Sequence, residues 1–106
     1  MDLTQAESHF AFGQNWAAYA ERVTEAEIRE AEQGLSRLVG GRLDGQRFLD
    51  IGCGSGLHSL AALRLGAREV FAVDLDGESV ATAHAMLARH ASAKNVWRVE
   101  EISVFV

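Results

Sequence analysis

Five residues of this 106-residue chain have types and spacing that could do chemistry: Asp50, Gly52, Gly54, Gly56 and Asp74. The glycines alternate along D-I-G-C-G-S-G (50–56), and Asp74 follows the first of them by 22 positions, 74 − 52. Glycine, lacking Cβ, adopts φ values that side chains forbid and lets a ligand approach the backbone closely. An acid about 20 residues after such a turn is placed to accept hydrogen bonds from both hydroxyls of a ribose. Asp50, two residues ahead of the first glycine, suits a cationic amine more than a pyrophosphate. The dinucleotide fingerprint G-x-G-x-x-G would require glycine at position 57, where this chain has Leu57. The pattern points to a nucleotide-type ligand and argues against NAD.

The flanking sequence supplies the elements that must hold these residues. Phe48 to Ile51 is a short apolar run that suits a buried parallel strand. A helix is expected from about Leu57 to Leu65, stopping at Gly66, and a second strand from Val70 to Val73 ends in Asp74. Strand, glycine turn, helix, strand and acid make one nucleotide-binding βαβ unit, with the free N–H groups of the helix's first turn forming an electropositive site. Upstream, Thr24 to Glu27 reads as a capping box, followed by a stripe of Ile28, Ala31, Leu35, Leu38 and Val39 and a stop at Gly40-Gly41. Downstream, Asp76 or Ser79 can cap a helix to about His90 with a buried stripe of Val80, Ala83, Leu87 and Ala91. Asn95 to Glu100 reads as a third strand, with Val96 and Val99 buried. Phe10, Phe12, Trp16 and Tyr19 crowd into ten positions and predict a hydrophobic cluster that packs the N-terminal segment onto the domain.

Composition narrows the function classes. Apolar and charged fractions of 48% and 24% are those of an ordinary globular domain, and the length allows one core. A net charge of −5 argues against a nonspecific nucleic-acid or membrane surface. No run is apolar enough to span a bilayer, and M-D-L-T-Q-A-E lacks the basic start of a secretion signal, so a cytoplasmic location is expected. Cys53 is the sole cysteine, which rules out an intramolecular disulfide, and reads as a small residue between two glycines. His9, His58, His84 and His90 lack metal-ligand spacing, so no metal site is expected.

D-I-G-C-G-S-G with A-V-D-L-D downstream resembles motif I and the following acidic strand end of the class I S-adenosylmethionine-dependent methyltransferases. The likeness runs from about Phe48 to Val106, with a weaker echo near Phe12 to Tyr19. It implies an α/β, Rossmann-like three-layer sandwich, here with about three parallel strands in the order 3-2-1, helices on both faces and extra N-terminal helices. The whole chain, 1–106, would be the N-terminal portion of one such domain, with a helical segment at 1–46 and a cofactor-binding half at 47–106. By resemblance, Asp50 and the turn backbone (Gly52, Cys53, Gly54, Gly56) hold the methionine part of S-adenosylmethionine or S-adenosylhomocysteine. Asp74 holds the ribose, Leu75 packs on the adenine, and Ser103 or alternatively Glu101 meets the adenine edge. The N-terminal aromatic segment would then form a lid over the cofactor.

The fourth strand and the acceptor pocket of the family lie beyond what these residues supply, so catalytic residues are not assignable. The absence of proline excludes the N-P-P-Y-type motif of amino-group methyltransferases. The expected function is that of a methyltransferase with a small-molecule acceptor once the domain is completed. A non-catalytic cofactor-binding or oligomerisation module of the same fold is the alternative. Strand 1 would lie at a sheet edge, so a homodimer pairing strand 1 with strand 1, or exchanging N-terminal segments, is expected.

Overall fold

A computed structural model describes residues 16–102, and Phe10, Phe12 and Ser103 lie outside them. The elements run α1 (Trp16–Arg22), α2 (Glu25–Val39), β1 (Arg47–Ile51), α3 (Leu57–Arg64), β2 (Glu69–Asp74), α4 (Gly77–His90) and β3 (Trp97–Glu101). All three strands are parallel, with β2 between β1 and β3, which is the expected 3-2-1 order. Register places Leu49 beside Phe71 and Phe71 beside Arg98, with Ile51, Val73 and Glu100 forming the next row.

A strand turns alternate side chains to opposite faces. The face of Phe48, Val70, Trp97 and Val99 packs against the helices. Both β-helix-β steps run in the same direction across the sheet, and right-handed crossovers then put α3 and α4 on one face. Helices were expected on both faces; within the described residues they gather on this one. On the other face Leu49 and Ile51 are 59% and 60% exposed. Arg98 stacks over Phe71 at 4.2 Å from the ring centroid and screens part of that surface.

Ile28 and Leu35 of α2, Leu60 and Leu63 of α3, Val70 of β2, and Met86 and Leu87 of α4 form the main buried cluster. Burial of each such side chain stabilises by about 1.5–3 kcal/mol. With only eight residues, α3 is too short to persist on helix propensity, so this packing is what holds it. Arg64 at its end also pairs with Glu25 at the start of α2. The Thr24 capping box forms, with the Glu27 N–H donating to Thr24 Oγ1 at 3.1 Å. His90 Nε2 lies 2.7 Å from the Ala20 carbonyl oxygen and joins α4 to α1.

Three burial expectations are corrected. Leu38 and Val39 are exposed, because the eight residues of α3 do not cover the last turn of the fifteen-residue α2. In α4 the buried line is Ser79, Thr82, Ala83, Met86 and Leu87, rotated from the predicted stripe so that Val80 is only partly covered. Val96 precedes β3 and is exposed, while Trp97 and Val99, two apart, share the helix-facing side. Trp97 also meets His84 edge-on at 5.2 Å.

Candidate functional site

The residues singled out for chemistry converge at the carboxyl ends of β1 and β2. Gly52, Gly54 and Gly56 have φ values of 74°, 54° and 84°, so each occupies backbone space that L side chains avoid. A Cβ placed on Gly52 or Gly54 would meet nothing within 4 Å, so open space faces both. Gly56 differs: a Cβ there would lie 2.9 Å from the Ala83 Cα, so its smallness lets α4 pack against the turn.

Four of the five N–H groups of the 52–56 turn are bonded within the chain. Those of Gly52 and Cys53 donate to the Val73 carbonyl at 2.8 and 3.0 Å, and that of Gly56 donates to the Cys53 carbonyl at 3.0 Å. The Gly54 N–H donates to Asp74 Oδ2 at 3.0 Å. A pyrophosphate-binding turn instead offers its amides to the ligand. This turn is a poor anion cradle.

Asp74 closes β2 and also latches the site. Its Oδ1 accepts the Asp76 N–H at 3.0 Å while Oδ2 holds Gly54. A carboxylate has about four lone-pair positions, so capacity for two ribose hydroxyls remains. Asp50 accepts one hydrogen bond, from Ser59 Oγ to Oδ2 at 2.6 Å, and its other oxygen has no partner among the described residues.

Cys53 reaches the site only through its backbone. Its side chain is buried against Ala72, Ala83 and Val99. Burial, reinforced by the nearby Asp50 and Asp74 charges, pushes its thiol up to about 11, which keeps it protonated and unsuited to nucleophilic chemistry. Leu75 is exposed and lines a small cleft of about 120 Å³ with Ile51, Gly52, Val73, Asp74 and Ile102. That volume falls below the roughly 300–1,000 Å³ of a complete ligand pocket and suits one flat group. Glu101 stands over the start of α4, where a Cβ on Gly77 would be 2.8 Å from its Oε1. His58 is exposed on α3. A larger groove of about 420 Å³, lined by Arg29, Glu32, Ser36, Arg37 and Leu65, contains none of these residues. No helix of the described residues is long and apolar enough to cross a membrane.

Ser59 is the site residue that sequence reasoning missed. It is fully buried on α3 beside Asp50. A serine next to Leu60, on the apolar face of the L-H-S-L-A-A-L helix, was the available signal.

A parallel sheet in this order, with a glycine turn flanked by Asp50 and Asp74, has the fold of the Rossmann-like S-adenosylmethionine-dependent methyltransferases. The chain belongs to the ribosomal protein L11 methyltransferase (PrmA) family, whose model matches residues 32–103. A ribosomal protein L11 methyltransferase of Stenotrophomonas maltophilia is 61% identical over 46 residues, which are 42% of this chain and 15% of that enzyme. One from a Cyanothece species is 65% identical over 34 residues, 32% of this chain and 12% of the relative. The matched stretches thus span about one sixth or less of those relatives. Among solved structures, a Pyrococcus horikoshii protein described as an RNA methyltransferase matches with a TM-score of 0.50 and 29% identity over 74% of this chain and 38% of its own. A Listeria monocytogenes protein described as S-adenosylmethionine-dependent, at TM-score 0.52 and 24% identity over 71% of this chain and 33% of its own, supports the fold alone.

Proposed function

We propose that this chain is the cofactor-binding part of an S-adenosylmethionine-dependent methyltransferase, with the site at Asp50, the 52–56 turn, Asp74 and Leu75. The observation that carries the reading is the internally bonded glycine loop between two carboxylates, which disfavours a pyrophosphate and favours a cation with a ribose. The open oxygen of Asp50 faces the ammonium of the methionine part, and Asp74 takes the ribose hydroxyls. Leu75 and the small apolar cleft beside it receive the adenine, with Glu101 at hand for its edge. Bound S-adenosylmethionine supplies an electrophilic methyl group on a sulfonium. The chain's contribution is to fix that group's position, and alignment of this kind supplies much of the rate in methyl transfer. Calorimetry tests the reading: S-adenosylhomocysteine binds more tightly than NAD. Tighter binding of NAD would overturn it.

The relatives' names favour a protein acceptor, ribosomal protein L11, over the small molecule expected from the sequence, and a cytoplasmic location accords with that acceptor. The non-catalytic module remains the second reading, supported by the exposed edge and face of β1. Unpaired strand edges beside exposed apolar side chains invite pairing with another chain. The 106-residue chain is therefore expected to sediment as a dimer or larger species at micromolar concentration. A well-folded monomer under those conditions would contradict this.

A further inference from the structure

We infer that Ser59 is a positioning residue: its buried hydroxyl fixes the Asp50 carboxylate so that the second oxygen is presented to the cofactor's ammonium. The inference rests on the cofactor reading of the site. Asp50 lies on the helix-facing side of β1, in line with Phe48, where an unpaired carboxylate is costly to desolvate. Ser59 is 0% exposed and sits on a different element, nine positions along the chain. A serine within a helix commonly returns its proton to the carbonyl four residues back. Here the proton goes to Asp50 Oδ2 across 2.6 Å, the short length of a charge-assisted bond.

Asp50 Oδ2 is held from the helix side, and Oδ1 has no partner among the described residues. The carboxylate is half-buried at the mouth of a turn whose Gly52 and Gly54 face open space. Since its one hydroxyl proton is engaged with Asp50, Ser59 would influence a ligand through Asp50.

Two ligands separate this role from general support of the fold. S-adenosylhomocysteine carries the amine, and 5′-methylthioadenosine keeps adenine and ribose without it. Ser59→Ala is expected to weaken S-adenosylhomocysteine by about fivefold or more while leaving 5′-methylthioadenosine within about twofold, because only the amine contact depends on the Asp50 carboxylate that Ser59 holds. In an Asp50→Ala background, Ser59→Ala should change neither affinity, the non-additivity expected of a residue acting through another. Ser59→Thr keeps the hydroxyl and should keep the parental ratio of the two affinities. Equal weakening of both ligands by Ser59→Ala, an unchanged ratio, or full additivity with Asp50→Ala would overturn the assignment. A parent chain that binds neither ligand would contradict the cofactor reading itself, a result distinct from those.

Discussion

Gly56→Ala is expected to lower the melting temperature of the chain by roughly 8–40 °C. Two terms add. A residue with Cβ held at a left-handed φ costs about 1–2 kcal/mol, and Gly56 sits at 84°. Overpacking adds about 1–3 kcal/mol, because the new methyl would lie 2.9 Å from the Ala83 Cα, a backbone atom of α4 that cannot swing aside. A small domain shifts by about 4–8 °C per kcal/mol, which gives the stated range. Gly54→Ala is the control. Its φ is 54°, but open space surrounds it, so only the backbone term of about 1–2 kcal/mol applies. Thermal denaturation followed by circular dichroism decides the matter. Equal melting of the two variants would mean that the turn does not set the approach of α4.

The second large effect is on binding. Asp74→Ala should weaken S-adenosylhomocysteine by roughly 10- to 150-fold, the equivalent of about 1.5–3 kcal/mol for lost hydrogen bonds to a charged group. The same substitution leaves the Gly54 and Asp76 N–H groups without their acceptors, so the turn loosens as the ribose loses its anchor. Asp74→Asn should fall between the parent and the alanine variant. An amide has one acceptor oxygen where the carboxylate offers two, so it can keep only one of the two backbone bonds. Titration calorimetry on the three proteins gives the ranking. Parental affinity in Asp74→Ala would place the ribose elsewhere.

What could be read from the sequence was local. The Thr24–Glu27 box, the stop at Gly40 and the Asp76 cap each depend on residues within four positions, and all form as expected. The strand order also followed, because a βαβαβ run with right-handed crossovers leaves little topological choice. Burial was harder to read. Leu38 follows the helical period yet is exposed, since its neighbour α3 ends short of it, and no pattern within α2 reveals that neighbour's length.

At the site, residue types and spacing exposed Asp50, the glycines and Asp74, but not their division of labour. Three alternating glycines look equivalent in a sequence. Only tertiary packing separates Gly56, which admits Ala83, from Gly52 and Gly54, which face open space. The bond between Ser59 and Asp50 crosses from helix to strand and has no sequence signature beyond a misplaced polar residue. Spacing marked Asp74 as a candidate for the ribose, whereas its hold on the Gly54 amide depends on how the turn closes over β2.

Amide chemical-shift mapping during titration with S-adenosylhomocysteine tests the location of the site most directly. The cofactor reading predicts the largest shifts at Gly52, Gly54, Leu75 and Ile102, around the ends of β1 and β2. The larger groove lined by Arg29, Glu32, Ser36, Arg37 and Leu65 should remain unperturbed. Shifts concentrated in that groove, or saturating binding with the 52–56 turn unmoved, would contradict the account.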